Sequence, residues 1–152
     1  MDYILEIKNL TKKFGRLTAV NDISFNVEKG NVYGLLGPNG SGKSTTLGML
    51  LTTINATSGS WKWFGESTDH QTLKRIGAII ERPNFYPYLN AGQNLEITAK
   101  IKGVDQKKID EKLSLVGLLE RKKDKFLTYS LGMKQRLAIA SAVVNDHEVL
   151  IL

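Results

Sequence analysis

Gly37-Pro38-Asn39-Gly40-Ser41-Gly42-Lys43-Ser44-Thr45 decides the fold, because it fits the phosphate-binding pattern G-x-x-x-x-G-K-[ST] at every fixed position. Just before it, residues 32–36 (Val-Tyr-Gly-Leu-Leu) make a short, mostly apolar run that predicts a buried strand. After it, residues 43–51 carry apolar side chains at helical spacing. The expected order is therefore strand, loop, helix, which a glycine-rich turn containing a lysine by chance would not produce. Gly37, Gly40 and Gly42 have no Cβ, so the backbone can take left-handed angles and turn successive N–H groups onto a polyphosphate at the positive end of the following helix. In that arrangement Lys43 reaches the β- and γ-phosphates. The Ser44 hydroxyl completes the coordination of a Mg²⁺ ion shared with the phosphates.

A chain of 152 residues with 41% hydrophobic side chains matches one ordinary domain with ample core. No stretch approaches the ~18 apolar residues of a membrane span. The opening Met-Asp-Tyr-Ile-Leu-Glu-Ile lacks the basic and then apolar pattern of a signal peptide, so a cytoplasmic location is expected. The absence of cysteine excludes disulfides and thiolate metal sites, and His70 and His147 have no partner at ligand spacing. The only metal expected is one carried by a nucleotide. The net charge of +6 has its densest cluster at Arg121-Lys122-Lys123. That cluster is short, has no interleaved aromatics and follows Leu118-Leu119, so it is expected to be a solvated helix end, and no nucleic-acid partner is expected.

Along the chain, Tyr3, Leu5 and Ile7 alternate with Ile4, Glu6 and Lys8, and Ile23, Phe25 and Val27 alternate with Ser24, Asn26 and Glu28. Both segments predict half-buried strands. Thr57-Ser58-Gly59-Ser60 reads as a turn, with Trp61 and Trp63 on one face of the strand that follows. A short helix over 71–75 leads into Ile76-Gly77-Ala78-Ile79-Ile80, an apolar run typical of a parallel strand covered on both faces. Prolines and aromatics then mark a loop over 81–88. Asn90-Ala91-Gly92-Gln93 predicts a capping box, with Gly103 as the helix stop. Asp105 is expected to open a second helix bearing Ile109, Leu113 and Val116. A third is expected near Gly132 with Met133, Leu137, Ala140 and Val144, and residues 149–152 are expected to form a second strand buried on both faces.

Thr128-Tyr129-Ser130-Leu131-Gly132-Met133-Lys134-Gln135-Arg136-Leu137 supplies a second motif in fitting order, and it resembles the signature segment of ABC-transporter ATP-binding domains. A serine and a glycine at the start of a helix suit an oxyanion, since a hydroxyl and free N–H groups converge there. Taken alone, Ser130 is simply a helix cap. The resemblance runs through the whole chain. It implies an α/β fold: a P-loop NTPase core over about 1–87 and 132–152, with an N-terminal antiparallel β subdomain and a helical insert over 88–131. It places Phe14 where the family stacks an aromatic on adenine, with Val20 alongside, so that Phe14, Val20, Gly37, Asn39, Gly40, Ser41, Gly42, Lys43, Ser44 and Thr45 form the candidate nucleotide site. It also implies that Ser130, Gly132 and Met133 close over the γ-phosphate held by a second ATP-binding domain, in a head-to-tail dimer. Gln135 and Arg136 would be structural.

Two departures narrow the resemblance. Glu81 stands where the family usually has a glutamine that senses Mg²⁺ and touches the transmembrane partner, and Leu131 replaces the first glycine of the signature. Both are similar to the bacitracin and lantibiotic resistance exporter branch. Ser44 and Glu81 are thus the expected Mg²⁺ contacts, and a carboxylate can accept the ion but cannot donate a hydrogen bond as an amide can. The implied function is an ATP-binding subunit, peripheral on the inner face of the membrane. It would couple ATP binding and hydrolysis by an ABC-type ATPase to export of a peptide antibiotic or other drug through a transmembrane permease subunit. The alternatives are a soluble ABC-type ATPase acting without a membrane partner and a binding-only module. In the family, an aspartate that orders Mg²⁺ and a glutamate that activates water follow a strand like 149–152. Neither occurs here, so no catalytic residue is assigned. Little or no hydrolysis is expected of these 152 residues, read as a truncated gene product, a disrupted gene or part of a longer chain.

Overall fold

The strand-forming alternation at the start of the chain extends further than expected. A computed structural model describes residues 3–80 and 84–152 and divides into two units, Met1–Leu73 and Lys74–Leu152. In the first unit, β1 (Tyr3–Phe14) and β2 (Leu17–Glu28) pair antiparallel from Tyr3↔Glu28 to Phe14↔Leu17, with register shifts along the ladder. They bury Leu5, Ile7 and Leu10 of β1 and Val20 of β2. On the other edge of β1 lies β3 (Ser58–Trp63), followed by β4 (Glu66–Ser67), giving the order β2-β1-β3-β4. The helix α1 (Lys43–Leu50) runs against β2 and buries Met49 and Leu50. The Trp63 indole Nε1 donates to the Leu50 carbonyl at 2.9 Å, which pins β3 to the end of α1. Trp63 is core, as the sequence suggests, and Trp61 is half-buried.

Two expectations fail in this unit. Residues 57–60 do not turn: Ser58 and Ser60 are claimed by the ladder to β1 at Thr11 and Lys8. Gly59 is needed there for a different reason, since it has φ +90° and a Cβ on it would sit 2.3 Å from the Asn9 carbonyl oxygen, opposite an irregularity in β1. Residues 32–36 do not form a strand either. They make no ladder among the described residues, and Val32 is 100% and Leu36 91% exposed. An apolar run becomes a buried strand only when neighbouring strands take up its N–H and C=O groups, which local composition cannot guarantee.

In the second unit, α2 (His70–Lys74), which starts in the first, leads to β5 (Ile76–Ala78). That strand pairs parallel with β6 (Val149–Ile151) in the register Ile76↔Val149, Gly77↔Leu150, Ala78↔Ile151. Ile76 is buried, but β6 is not covered on both faces as expected, because Leu150 is 43% exposed in a pair only two strands wide. The helix α3 (Ala91–Lys102) has the predicted capping box. Asn90 Oδ1 accepts from Gln93 N at 2.8 Å, Gln93 Oε1 accepts from Asn90 N at 3.0 Å, and Gly103 closes the helix at φ 70°. The next helix, α4 (Lys108–Leu115), begins later than Asp105, whose carboxylate instead accepts from Lys107 N at 2.9 Å and holds the turn before it. The third, α5 (Leu131–Ala142), starts at the predicted cap. Leu95, Ala99, Ile109, Leu113, Leu118, Phe126, Tyr129, Leu137 and Val144 form one core between these helices. The basic cluster sits at the end of a single 3-10 turn, Leu119–Arg121, with Arg121 and Lys123 exposed, in line with a solvated helix end; Arg121 pairs with Asp124, and the Lys122 ammonium lies 2.6 Å from Asp110.

Polar contacts fix the turn between α5 and β6. Lys112 is only 5% exposed, and its ammonium lies 2.5 Å from Asp146 Oδ1 and 3.0 Å from Glu111, while Lys108 reaches Asp146 Oδ2 at 2.7 Å. Hydrogen bonds from Lys108 and Lys112 lower the Asp146 pKa from its ordinary 3.8 to about 2. Nearby, the Lys102 ammonium donates to the Ile76 carbonyl at 3.1 Å and lies 2.7 Å from His147 Nε2. Burial, with Lys102 alongside, lowers the His147 pKa from 6.5 to about 4. In both cases the folded pKa lies below the unfolded one, so each group stabilises the fold at neutral pH and loses that contribution on acidification. The His147 contribution disappears between pH 6.5 and about 4, and that of Asp146 between 3.8 and about 2. Urea unfolding measured from pH 7 to pH 2 should therefore show Asp146→Asn less stable than wild type at pH 5 to 7, with the gap narrowing below pH 4. Parallel profiles would rule out these ion pairs as a source of stability.

Candidate functional site

The phosphate loop owes its shape to its glycines. Gly40 and Gly42 have φ of 83° and 89°, the left-handed region, and Gly42 is the N-cap of α1. Having no side chain, Gly42 offers no acceptor to the first-turn N–H groups of α1, and those groups are left to an incoming anion. Thr46 N donates to the Gly42 carbonyl at 2.8 Å to begin the helix, and Ser41 N donates to Pro38 O at 3.2 Å within the loop. The Lys43 side chain folds back over the loop, its ammonium donating to the Gly37 carbonyl at 2.7 Å and to that of Pro38 at 2.8 Å. Asn39, Gly40, Ser41 and Ser44 are exposed, Lys43 and Thr45 half-buried, and Thr46 buried.

Gly42 is also where the loop meets the sheet. A Cβ there would lie 2.4 Å from the Ala19 carbonyl oxygen and 3.1 Å from Val20 Cγ2, so only glycine permits this approach. Val20 faces Lys12 across the β1–β2 ladder, and the Lys12 ammonium lies 4.8 Å from the ring centroid of Phe14. Phe14, at the end of β1, is 48% exposed. Phe14, Val20 and residues 37–45 all lie in the first unit, where Val20 links the β1–β2 ladder to Gly42 of the loop. Main-chain N–H groups, one ammonium and one hydroxyl at a helix N-terminus suit a polyphosphate with a hard cation shared between it and Ser44. Among the described residues no group of three or more His, Cys, Asp or Glu is placed to hold a metal by itself.

Ser130, Gly132 and Met133 lie in the other unit. Ser130 caps α5, its Oγ accepting from Met133 N at 3.3 Å, while Gly132 is exposed with open space around the position of a Cβ. Arg136 donates to the carbonyls of Val116 at 3.1 Å and Gly117 at 3.4 Å, which ties α5 to the end of α4. Glu81 lies outside the described residues. Beyond it, Tyr86 is held through its backbone: its N–H donates to Asn94 Oδ1 at 2.8 Å and its carbonyl accepts from Asn94 Nδ2 at 3.1 Å. The Tyr86 ring is left exposed beside Tyr88, with centroids 5.9 Å apart. Tyr86, Asn94, Thr98 and Ser141 border a cleft of about 380 Å³. No helix among the described residues is long and apolar enough to cross a membrane.

Residues 20–152 match the ABC transporter family. The chain belongs to that family. It is 44% identical, over its whole length, to the bacitracin transport ATP-binding protein BcrA of Enterococcus faecalis, of which it covers 51%. It is 41% identical over 98% of its length to the lantibiotic transport ATP-binding protein SrtF of Streptococcus pyogenes, of which it covers 65%. Among solved structures, cbiO1 of Clostridium perfringens, part of the ABC transporter complex cbiONQ, superposes with a TM-score of 0.80 at 25% identity over 99% of this chain and 65% of that one. The chain therefore spans about half to two thirds of the relatives it matches. The fold of this ABC transporter chain is that of part of an α/β P-loop ATPase, with its antiparallel β subdomain in Met1–Leu73.

Sequence reasoning missed Lys12 over Phe14, Lys102 on His147, and the Asp146 pairs. Lys12 could have been suspected, since a two-residue step along a strand puts it on the face of Phe14. The other two join residues dozens of positions apart and leave no local signal. The close approach at Gly42 predicts that Gly42→Ala costs about 1–3 kcal/mol and also weakens polyphosphate binding, because the new methyl meets main chain that cannot move without disturbing β2. Gly132→Ala, in open space, should stay within about 0.5 kcal/mol of wild type. Chemical denaturation of the two variants side by side checks this.

Proposed function

We propose that this chain binds Mg·ATP through residues 37–45 and serves as the ATP-binding part of an exporter that moves a peptide antibiotic or other drug. The observation that carries the binding reading is the glycine-shaped loop ending at the side-chain-free N-cap of α1, with the Lys43 ammonium poised over it. Gly40, Gly42, Lys43, Ser44 and Thr45 cradle the phosphates, Ser44 and Glu81 contact Mg²⁺, and Phe14 stacks on the base beside Val20. Membership of the family implies ATPase activity for the whole protein. The export reading rests on relatives named for bacitracin and lantibiotic transport. A transmembrane permease subunit is the partner this requires, with the ATP-binding part cytoplasmic and peripheral on the membrane. Ser130, Gly132 and Met133 then act on the nucleotide of a second ATP-binding domain in a head-to-tail dimer. Residues 88–131 form the helical subdomain between two parts of the nucleotide-binding core.

Lys43→Ala should lower the affinity for Mg·ATP by at least about tenfold, since a charge-assisted contact to phosphate is worth about 1.5–3 kcal/mol. Equal ATP titration curves for variant and wild type would sink the assignment. The permease is expected to contact the loop after Glu81, where Asn94 anchors the Tyr86 backbone and leaves its ring exposed. Tyr86→Ala should accordingly leave nucleotide affinity unchanged while weakening assembly with the permease. Crosslinks from position 86 in the assembled complex that captured no membrane subunit would contradict this.

A further inference from the structure

Lys12 and Phe14 are two residues apart on β1, and their side chains meet although the ladder to β2 has an irregularity between Lys12 and Lys13. The Lys12 ammonium donates to the main-chain carbonyl of Asn55 at 2.6 Å. Anchored at that point, it lies 4.8 Å from the Phe14 centroid, within the range of attraction to the negative face of an aromatic ring. Lys12 is half-buried and stands across the ladder from Val20, whose Cγ2 borders Gly42 of the phosphate loop. Phe14 is otherwise loosely held: it ends the strand and is 48% exposed.

We infer that Lys12 is a positioning residue for base binding: it holds one face of the Phe14 ring so that the other is presented to the base. This inference rests on the nucleotide reading given above. An exposed aromatic at a strand end samples several rotamers, and a base can stack only on the one that faces the phosphate loop, so fixing that rotamer beforehand removes an ordering cost from binding. A cation on one face also draws π density from the ring, which favours stacking of an electron-rich purine on the opposite face. Lys12 would therefore contribute to the affinity for the base and nothing to that for the phosphates.

The test compares ATP with inorganic tripolyphosphate, both with Mg²⁺, by calorimetry on the purified protein. Lys12→Met keeps the aliphatic stem and removes the charge. It should weaken ATP binding about two- to five-fold, the range expected of a partly exposed cation–aromatic contact, and leave tripolyphosphate unchanged. Lys12→Arg should restore ATP affinity, and Lys12→Met made on a Phe14→Ala background should have no further effect. Should Lys12→Met lose the fold, Lys12→Gln repeats the comparison. Unchanged ATP affinity in the folded variant, an equal loss for both ligands, or a loss that persists without Phe14 would each overturn the inference. A wild-type protein that bound neither ligand would instead overturn the nucleotide reading, and the inference with it.

Discussion

The nucleotide side of this chain depends on one backbone approach, that of Gly42 to the carbonyl of Ala19. A Cβ at Gly42 would stand 2.4 Å from that oxygen, so the loop and β2 can meet only if the side chain is absent. The same residue takes the left-handed φ of 89° that lets α1 begin without a capping side chain. One glycine thus meets two demands. It lets the phosphate loop rest on the sheet, and it leaves the helix N-terminus to a ligand. Because Val20 is part of that contact, the residues expected around the base and those expected around the phosphates share a single support. Any change that lifts the loop from β2 moves both halves of the site.

What could be read in the sequence, and what could not, follows from the range over which each feature is determined. The phosphate loop, the Asn90 and Gln93 box and the Ser130 cap each depend on residues within a few positions of one another, and the structure has the two caps as read. Gly59 shows the limit. Ser58-Gly59-Ser60 has the composition of a turn, yet pairing with β1 decides its conformation, and glycine is there for the main chain of Asn9. Asp105 shows another, since an aspartate that can cap a helix can equally hold the preceding turn by accepting from Lys107 N. Apolar content misled most at 32–36. A run of apolar residues records that burial would be favourable, but a strand also needs a neighbouring strand to take up its N–H and C=O groups, and that comes from elsewhere in the fold.

In the second unit charged groups add directional contacts to the apolar core at the turn into β6, where the Asp146 carboxylate is held by Lys108 and Lys112. Lys112 is buried and so depends on its partners: without Asp146 it would keep only the exposed Glu111, at a desolvation cost that a surface pair does not carry. Lys102 works in the same sense with a neutral partner. Its ammonium bonds to the Ile76 carbonyl and to His147, and an imidazole can remain an acceptor there only while uncharged, which its depressed pKa ensures at neutral pH.

Lys43 poses the final question of energetics, because its ammonium already has two good acceptors, the carbonyls of Gly37 and Pro38. A polyphosphate arriving at the loop does not simply add a contact to a bare cation. It competes with those carbonyls, and the net gain is the difference between ammonium–phosphate and ammonium–carbonyl bonding in a partly wet loop, together with the N–H groups of α1 that come into use. That difference favours phosphate, since a full negative charge outweighs a carbonyl dipole at equal distance. The two carbonyl contacts also have a structural effect: they tie the first residues of the loop to the first turn of α1. On the proposed reading the lysine contributes twice, as a local organiser of the loop and as a counter-charge, and a substitution there removes both effects.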